Sequence, residues 1–141
     1  MIRFLLPSFS LLALLAATPA GAGELRATIA NVKPQGGTVM VGLYASPDTY
    51  TREERTAGQQ LSPTGRTLTA VFTGLPPGRY AVAVYQDADG DGRLSTNLLG
   101  VPSEPYGFSN DADATVGKPG FDAVAVTVGD GTTDITITLT P

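Results

Sequence analysis

The sequence predicts an all-β fold class: an antiparallel two-sheet sandwich of six or seven strands with one long loop. Two observations predict it. Short segments rich in Val, Ile, Thr and Tyr recur along the chain and are separated by Gly, Pro and Asp, which is the composition of strands joined by turns. The clearest segment, residues 134–139, alternates apolar and polar side chains, as expected of a strand with one buried and one solvated face. Several such strands in a chain of this length favour a sandwich.

Six segments are expected to form strands. In chain order they are residues 25–32, 38–44, 66–73, 79–86, 123–128 and 134–139. Turn chemistry separates them, with Gly-Gly at 36–37, Pro-Pro-Gly at 76–78 and Gly-Asp-Gly at 129–131. The sequence contains no internal repeat, and its length fits a single domain built from these strands.

Two connections between these strands are long. In residues 45–65, Ser46 is expected to cap a short helix that has Pro47 as its first residue. Residues 87–122 lack clear periodicity, and a loop that long in a compact domain is usually functional or disordered. Its aromatic side chains argue against disorder. Phe108 is expected to be the buried side chain that anchors this loop to the sandwich.

The N-terminus has the pattern of a secretory signal peptide. Arg3 precedes an apolar run, and the small residues at 20–22 follow it. The run is too short to span a bilayer. We therefore expect residues 1–22 to be removed, residues 23–141 to form a single β-sandwich domain, and the mature protein to be periplasmic or secreted without membrane insertion.

Composition excludes several function classes. The chain has 9 basic and 13 acidic residues and a net charge of -4, without a basic cluster, which argues against nucleic acid as a partner. It contains no cysteine and no histidine. Their absence excludes Ser-His-Asp and Cys-His catalysis as well as the usual zinc sites. A metal in this protein would be held by oxygen, which favours calcium or magnesium.

The segment Asp87-Ala88-Asp89-Gly90-Asp91-Gly92 is the strongest functional signal. Asp87, Asp89 and Asp91 occupy the first, third and fifth positions of a calcium loop, the carbonyl of Arg93 the seventh and Ser95 the ninth. The twelfth position is leucine, where the full motif has a bidentate glutamate. The alternative is a solvated Asp/Gly turn, because both residue types favour turns without any ligand.

Two further groups of residues complete the candidate site. Glu104 is the candidate for the missing distal carboxylate, brought back by a loop that contains Gly100 and Pro102; the alternative is a surface glutamate. Tyr106 and Asn110 are candidates for binding a small ligand or a glycan, since an aromatic face supplies contact area and an amide supplies orientation.

The pattern of these residues resembles a known family. The stretch Leu75-Pro76-Pro77-Gly78-Arg79-Tyr80 is similar to transthyretin-like and Cna-B-like sandwich domains. The spacing from the Asp loop to Gly107-Phe108-Ser109-Asn110 and on to Gly117-x-Pro119-x-Phe121 resembles domain of unknown function 2141, a family of small secreted bacterial proteins. The resemblance implies a transthyretin-like or immunoglobulin-like sandwich and export. Gln86 and Ser95 depart from it, standing where the family commonly has histidine and aspartate.

Together these features predict an exported, non-catalytic binding or structural module, stabilised by Ca²⁺ at the Asp loop, with an unidentified protein or glycan as partner. Two alternatives remain at this point. One is a hydrolase acting on glycans that pairs Glu104 with an aspartate of the loop, and the other is an accessory domain that binds no metal. The histidine-dependent hydrolase activity of transthyretin-like proteins is not expected, because the chain lacks histidine.

Overall fold

A computed structural model describes residues 22–90 and 104–140 as two packed β-sheets with short helical turns. The strands are β1 (Gly23–Ala30), β2 (Thr38–Tyr44), β3 (Ala57–Leu61), β4 (Leu68–Leu75), β5 (Gly78–Asp87), β6 (Tyr106–Phe108), β7 (Val126–Val128) and β8 (Thr132–Thr138). The helices are α1 (Pro47–Thr51) and α2 (Phe121–Val124). Within the described residues, none of the helices has the length and hydrophobicity to cross a membrane.

The predicted all-β sandwich is confirmed. One sheet has the order β4-β1-β8 and the other the order β3-β2-β5-β6, with β7 paired to the start of β5. The pairing is antiparallel except between β1 and β8, which run parallel from Glu24 opposite Thr132 to Ala30 opposite Thr138. This pair departs from the expected antiparallel arrangement. Alternation along a strand specifies which face is buried but not the direction of the neighbouring strand.

The described residues also contain eight strands, more than the six or seven predicted. The additional strands are β3, with the sequence AGQQL, and β6, which has three residues. Neither has the β-branched alternation that marks a strand in sequence, and both form by pairing with an established neighbour, β2 or β5. The expected strand over 123–128 is shorter than predicted, because its first residues belong to α2.

The main hydrophobic core lies between the two sheets. Leu25, Ala27 and Ile29 of β1 are fully buried at every second position, which is the period expected of a strand with one face in the core. On β5, Val82 and Val84 face this core. The intervening alanines of β5 pack on the opposite face of the sheet, so β5 is buried on both sides.

A second cluster covers one end of the outer face of the larger sheet. It joins Tyr44, Tyr50, Phe121 and Val124 beneath α1 and α2. The predicted cap of α1 is confirmed, because the Ser46 hydroxyl accepts a hydrogen bond from the backbone N–H of the third helical residue. The helices α1 and α2 thus cover part of the face of the larger sheet that points away from the main core.

Candidate functional site

Three carboxylates converge where β5 ends. Asp87 is the last residue of β5 and is 4% exposed, Glu104 is 5% exposed, and Asp89 is exposed. One carboxylate oxygen from each lies within 4.8 Å of those of the other two. The structure therefore brings together three of the predicted metal ligands. The other three, Asp91, Arg93 and Ser95, lie outside the described residues.

Backbone hydrogen bonds hold the two ends of this loop together. The N–H of Gln86 donates to the carbonyl of Pro105 over 2.8 Å, which places Glu104 beside the end of β5. Glu104 Oε2 then accepts from the N–H of Ala88 at 2.5 Å and from that of Asp89 at 3.4 Å. The carboxylate of Glu104 thus closes the loop from its far side.

The first aspartate of the loop is fixed in a similar way. Asp87 Oδ1 accepts a hydrogen bond from the N–H of Gly90 at 3.0 Å, an Asx turn of the kind that Asp and Gly favour. Gly37 packs against the same residue from the β1–β2 connection, where a Cβ would come within 2.0 Å of the Asp87 carbonyl oxygen. The close approach requires glycine there, and its φ of +79° requires it as well.

Gln86 supports this site from inside the protein. Its side chain is fully buried, accepts from the N–H of Lys33 at 2.9 Å and donates to the carbonyls of Lys33 at 2.6 Å and Gly36 at 3.0 Å. The side chain therefore joins the end of β5 to the β1–β2 connection. In the sequence, Gln86 is marked only by its departure from the pattern of the family. A lone glutamine inside a strand of valines and alanines was the available signal.

The arrangement suits a hard divalent cation. Carboxylates this close repel one another when ionised, and a bound cation would offset that repulsion. All the converging ligand atoms are oxygens, which calcium and magnesium prefer. Asp87 and Asp89 come from the start of a long connection and Glu104 from its far end. An ion bound by all three would therefore link the two ends of the connection.

The predicted ligand-binding residues separate in the structure. Tyr106 and Phe108 lie on the outer face of β6, with ring centroids 6.3 Å apart in an edge-to-face arrangement. Both line a surface groove. Asn110 is not among the lining residues; its amide donates to the carbonyls of Ala123 at 3.1 Å and Ala125 at 3.0 Å, which connects the loop to α2.

Phe108 is half-buried, in contrast to the expectation that it anchors the loop in the core. It packs at the margin of the second cluster. The buried anchor is Phe121, which is 9% exposed. Phe108 stays near the surface because it faces outward from β6, at the sheet edge and beyond the cover of α2.

A comparison with protein families matches the part of the chain that contains this site. A family model described as "Uncharacterized protein conserved in bacteria (DUF2141)" matches residues 27–136. The chain belongs to this family. The match includes the whole of the carboxylate cluster and the aromatic pair of β6, and it bears out the resemblance seen in the sequence. Searches of curated proteins and of solved structures gave no match. The DUF2141 description assigns no function, so function must be argued from the site.

Proposed function

We propose that this DUF2141 protein is an exported, non-catalytic binding or structural module whose loop after β5 is stabilised by Ca²⁺. The observation that carries the proposal is the convergence of Asp87, Asp89 and Glu104 oxygens within 4.8 Å, with two of the three side chains almost fully buried. Asp91 is a further ligand by the spacing of the sequence.

A bound ion would have a clear energetic role. Ordering a long connection costs conformational entropy, and the loop is held at its two ends by Asp87 and Glu104. Binding to the folded protein alone adds stability in proportion to the logarithm of ion concentration. Calcium fits better than magnesium, because it accepts irregular sets of carboxylate and carbonyl oxygens whereas magnesium requires a near-ideal octahedron.

Burial argues against a hydrolase at this cluster. A glycosidase needs one carboxyl group to reach the leaving oxygen of the substrate. Glu104 is 5% exposed and already accepts hydrogen bonds from the loop backbone. Its burial and its hydrogen bonds suit loop closure better than attack on a sugar ring.

Thermal melting in EDTA and in excess calcium tests the proposal. At a free calcium concentration 100 times the dissociation constant, binding adds about 2.7 kcal/mol, which raises Tm by several degrees in a domain of this size. Magnesium should raise it less. Asp89→Asn should remove most of the calcium-dependent shift, because it takes away the charge of one of the three converging carboxylates.

Asp130→Asn is the matched control, since it removes the same charge from an exposed position in the turn before β8. It should keep the full calcium shift. Superimposed melting curves of the wild type in EDTA and calcium would leave the loop as a plain Asp/Gly turn. Turnover of a glycoside that disappears in Glu104→Gln would instead establish the hydrolase.

A further inference from the structure

A groove lies beside β6 and shares no lining residue with the carboxylate cluster. Its volume is 440 Å³, within the range of sites for small molecules. Tyr106 and Phe108 form one part of its lining, and the segment from Asp111 to Thr115 forms another. The groove therefore combines aromatic rings with two acidic side chains, Asp111 and Asp113.

Each carboxylate accepts a backbone hydrogen bond through one of its oxygens. Asp111 Oδ1 accepts a hydrogen bond from the N–H of Thr138 on β8 at 2.8 Å. Asp111 and the preceding Asn110 have φ values of 46° and 63°, a left-handed conformation that the Asn110 amide supports through its bonds to the α2 region. Asp113 Oδ1 accepts from the N–H of Thr115 at 2.9 Å.

The charge of the groove is one-sided. Two aspartates line it, and no lysine or arginine occurs among its described lining residues. The hydrogen bond from the Thr115 backbone lowers the pKa of Asp113, which extends the charged range of this carboxylate to lower pH. The salt bridges between described residues involve neither aspartate.

We propose that this groove binds a small alkylamine, with its ammonium group held by Asp111 and Asp113 and its carbon chain lying along the ring of Phe108. Aromatic faces attract ammonium groups, so Tyr106 adds to the attraction of the carboxylates. The alanines at 112 and 114 also line the groove and offer apolar contact to the chain of the ligand.

This inference rests on the part of the proposed function that makes the protein a binding module, and it names the class of ligand. It does not depend on calcium. The groove shares no lining residue with the Asp87, Asp89 and Glu104 cluster. Failure of one proposal is therefore distinguishable from failure of the other.

The test is an NMR titration of the mature protein with 1,5-diaminopentane, following the backbone amides of Gly107, Thr115 and Thr138. Glutarate, a dianion of equal chain length, and N-acetylglucosamine, a neutral sugar, are the comparison ligands. The amine should shift these amides in a saturable way, and added salt should weaken its binding.

Asp111→Asn and Asp113→Asn should each weaken amine binding by up to about fivefold, the usual range for an exposed ion pair. Either asparagine can still accept the backbone hydrogen bond through its amide oxygen. Tyr106→Leu should weaken binding by about two- to fivefold. Asp130→Asn should bind like the wild type, and the calcium-dependent melting shift should persist in all of these variants.

Amide shifts that are as large with glutarate or N-acetylglucosamine as with the amine would overturn the assignment of a cationic ligand. Unchanged amine affinity in the Asp111→Asn/Asp113→Asn double variant would overturn the role of the carboxylates. No saturable shift with the amine would show that the groove is not a site for this ligand class.

Discussion

Gln86 has a fully buried side chain one residue before the first aspartate of the loop. Its amide makes three hydrogen bonds to the backbone of the β1–β2 connection. A buried amide whose partners are all backbone groups is expensive to remove, because those groups remain unsatisfied in the interior. Gln86 therefore supports the fold beneath the carboxylate cluster. These hydrogen bonds explain why a glutamine is buried at this position without any contact to a ligand.

Replacing Gln86 by leucine should lower the free energy of unfolding by on the order of 1–3 kcal/mol, since the Lys33 and Gly36 backbone groups lose their partner. Urea denaturation measures the change. The matched control is Gln60→Leu, at an exposed position of β3, which should change stability by less than about 0.5 kcal/mol. Equal effects of the two substitutions would show that the Gln86 bonds contribute little.

Burial changes the pKa of Tyr50, a tyrosine in the second cluster. Its ring lies between those of Tyr44 and Phe121, at centroid distances of 5.6 and 6.0 Å, and its hydroxyl donates to the Pro119 carbonyl at 2.7 Å. The Lys118 ammonium lies 4.1 Å from its ring centroid. Burial, followed by the nearby Tyr44 and Glu53, raises the pKa of Tyr50 to about 12.

The raised pKa of Tyr50 predicts a loss of stability at alkaline pH. An unfolded tyrosine ionises near pH 10, whereas the folded protein holds Tyr50 neutral up to about pH 12. The contribution of Tyr50 is complete below pH 10 and is lost as pH rises from there toward 12. Melting curves across this range should therefore fall more steeply for the wild type than for Tyr50→Phe. Parallel slopes would contradict the assignment.

At the scale of elements, the segment after the Asp loop is held by short pieces of structure. The fully buried Ser109 hydroxyl accepts from the N–H of Val82 at 3.0 Å and donates to the Val124 carbonyl. Phe121 of α2 is inserted into the second cluster. These contacts connect β5, the turn after β6 and α2, so the region from 104 to 128 is anchored at several points.

Phe121→Ala should cost about 3–5 kcal/mol, as truncation of a core phenylalanine usually does. Phe108→Ala should cost less, because Phe108 is only half-buried at the margin of the cluster. Equilibrium unfolding in urea compares the two variants. A larger loss at Phe108 would restore it as the anchor of the segment.

Elements with strong local signals were predictable from sequence. The alternation of Ile135 and Ile137 with threonines gave β8, and Ser46 followed by Pro47 gave α1. The strands β3 and β6 were missed because their formation depends on pairing with β2 and β5. The parallel direction of β8 beside β1 depends on how the chain crosses between sheets, which no local pattern records.

The candidate site also contains some residues that the sequence predicts and others that only the structure identifies. Asp87 and Asp89 follow from the spacing of the loop, and Glu104 was inferred because an oxygen ligand was missing at the twelfth position. The structure places these three together. The roles of Gln86, Asp111 and the Asn110 amide arise from contacts between distant segments, and these contacts are not recorded in a local sequence pattern.

At the scale of the whole molecule, β1 begins at Gly23 and lies in the middle of its sheet, between β4 and β8. A Cβ on Gly23 would come within 2.1 Å of the Gly129 carbonyl oxygen. The strand β1 therefore begins at the residue that the sequence predicts to be the mature N-terminus.

The intact mass of protein recovered from the periplasm or medium tests this processing. We expect a mature N-terminus at or close to Gly23, since the residues at 20–22 have the small side chains that signal peptidase requires. A soluble exported form that retains residues 1–22 would contradict the prediction.

The central claim is that Asp87, Asp89 and Glu104 form a calcium site. Calorimetric titration of metal-free mature protein with calcium tests it most directly. We expect one ion per chain with a dissociation constant of about 10⁻⁴ to 10⁻³ M, the range of extracellular calcium modules. Glu104→Gln should weaken binding, because one ligand loses its charge while its amide oxygen can still accept the loop hydrogen bonds. A wild-type titration without saturable calcium binding would contradict the claim.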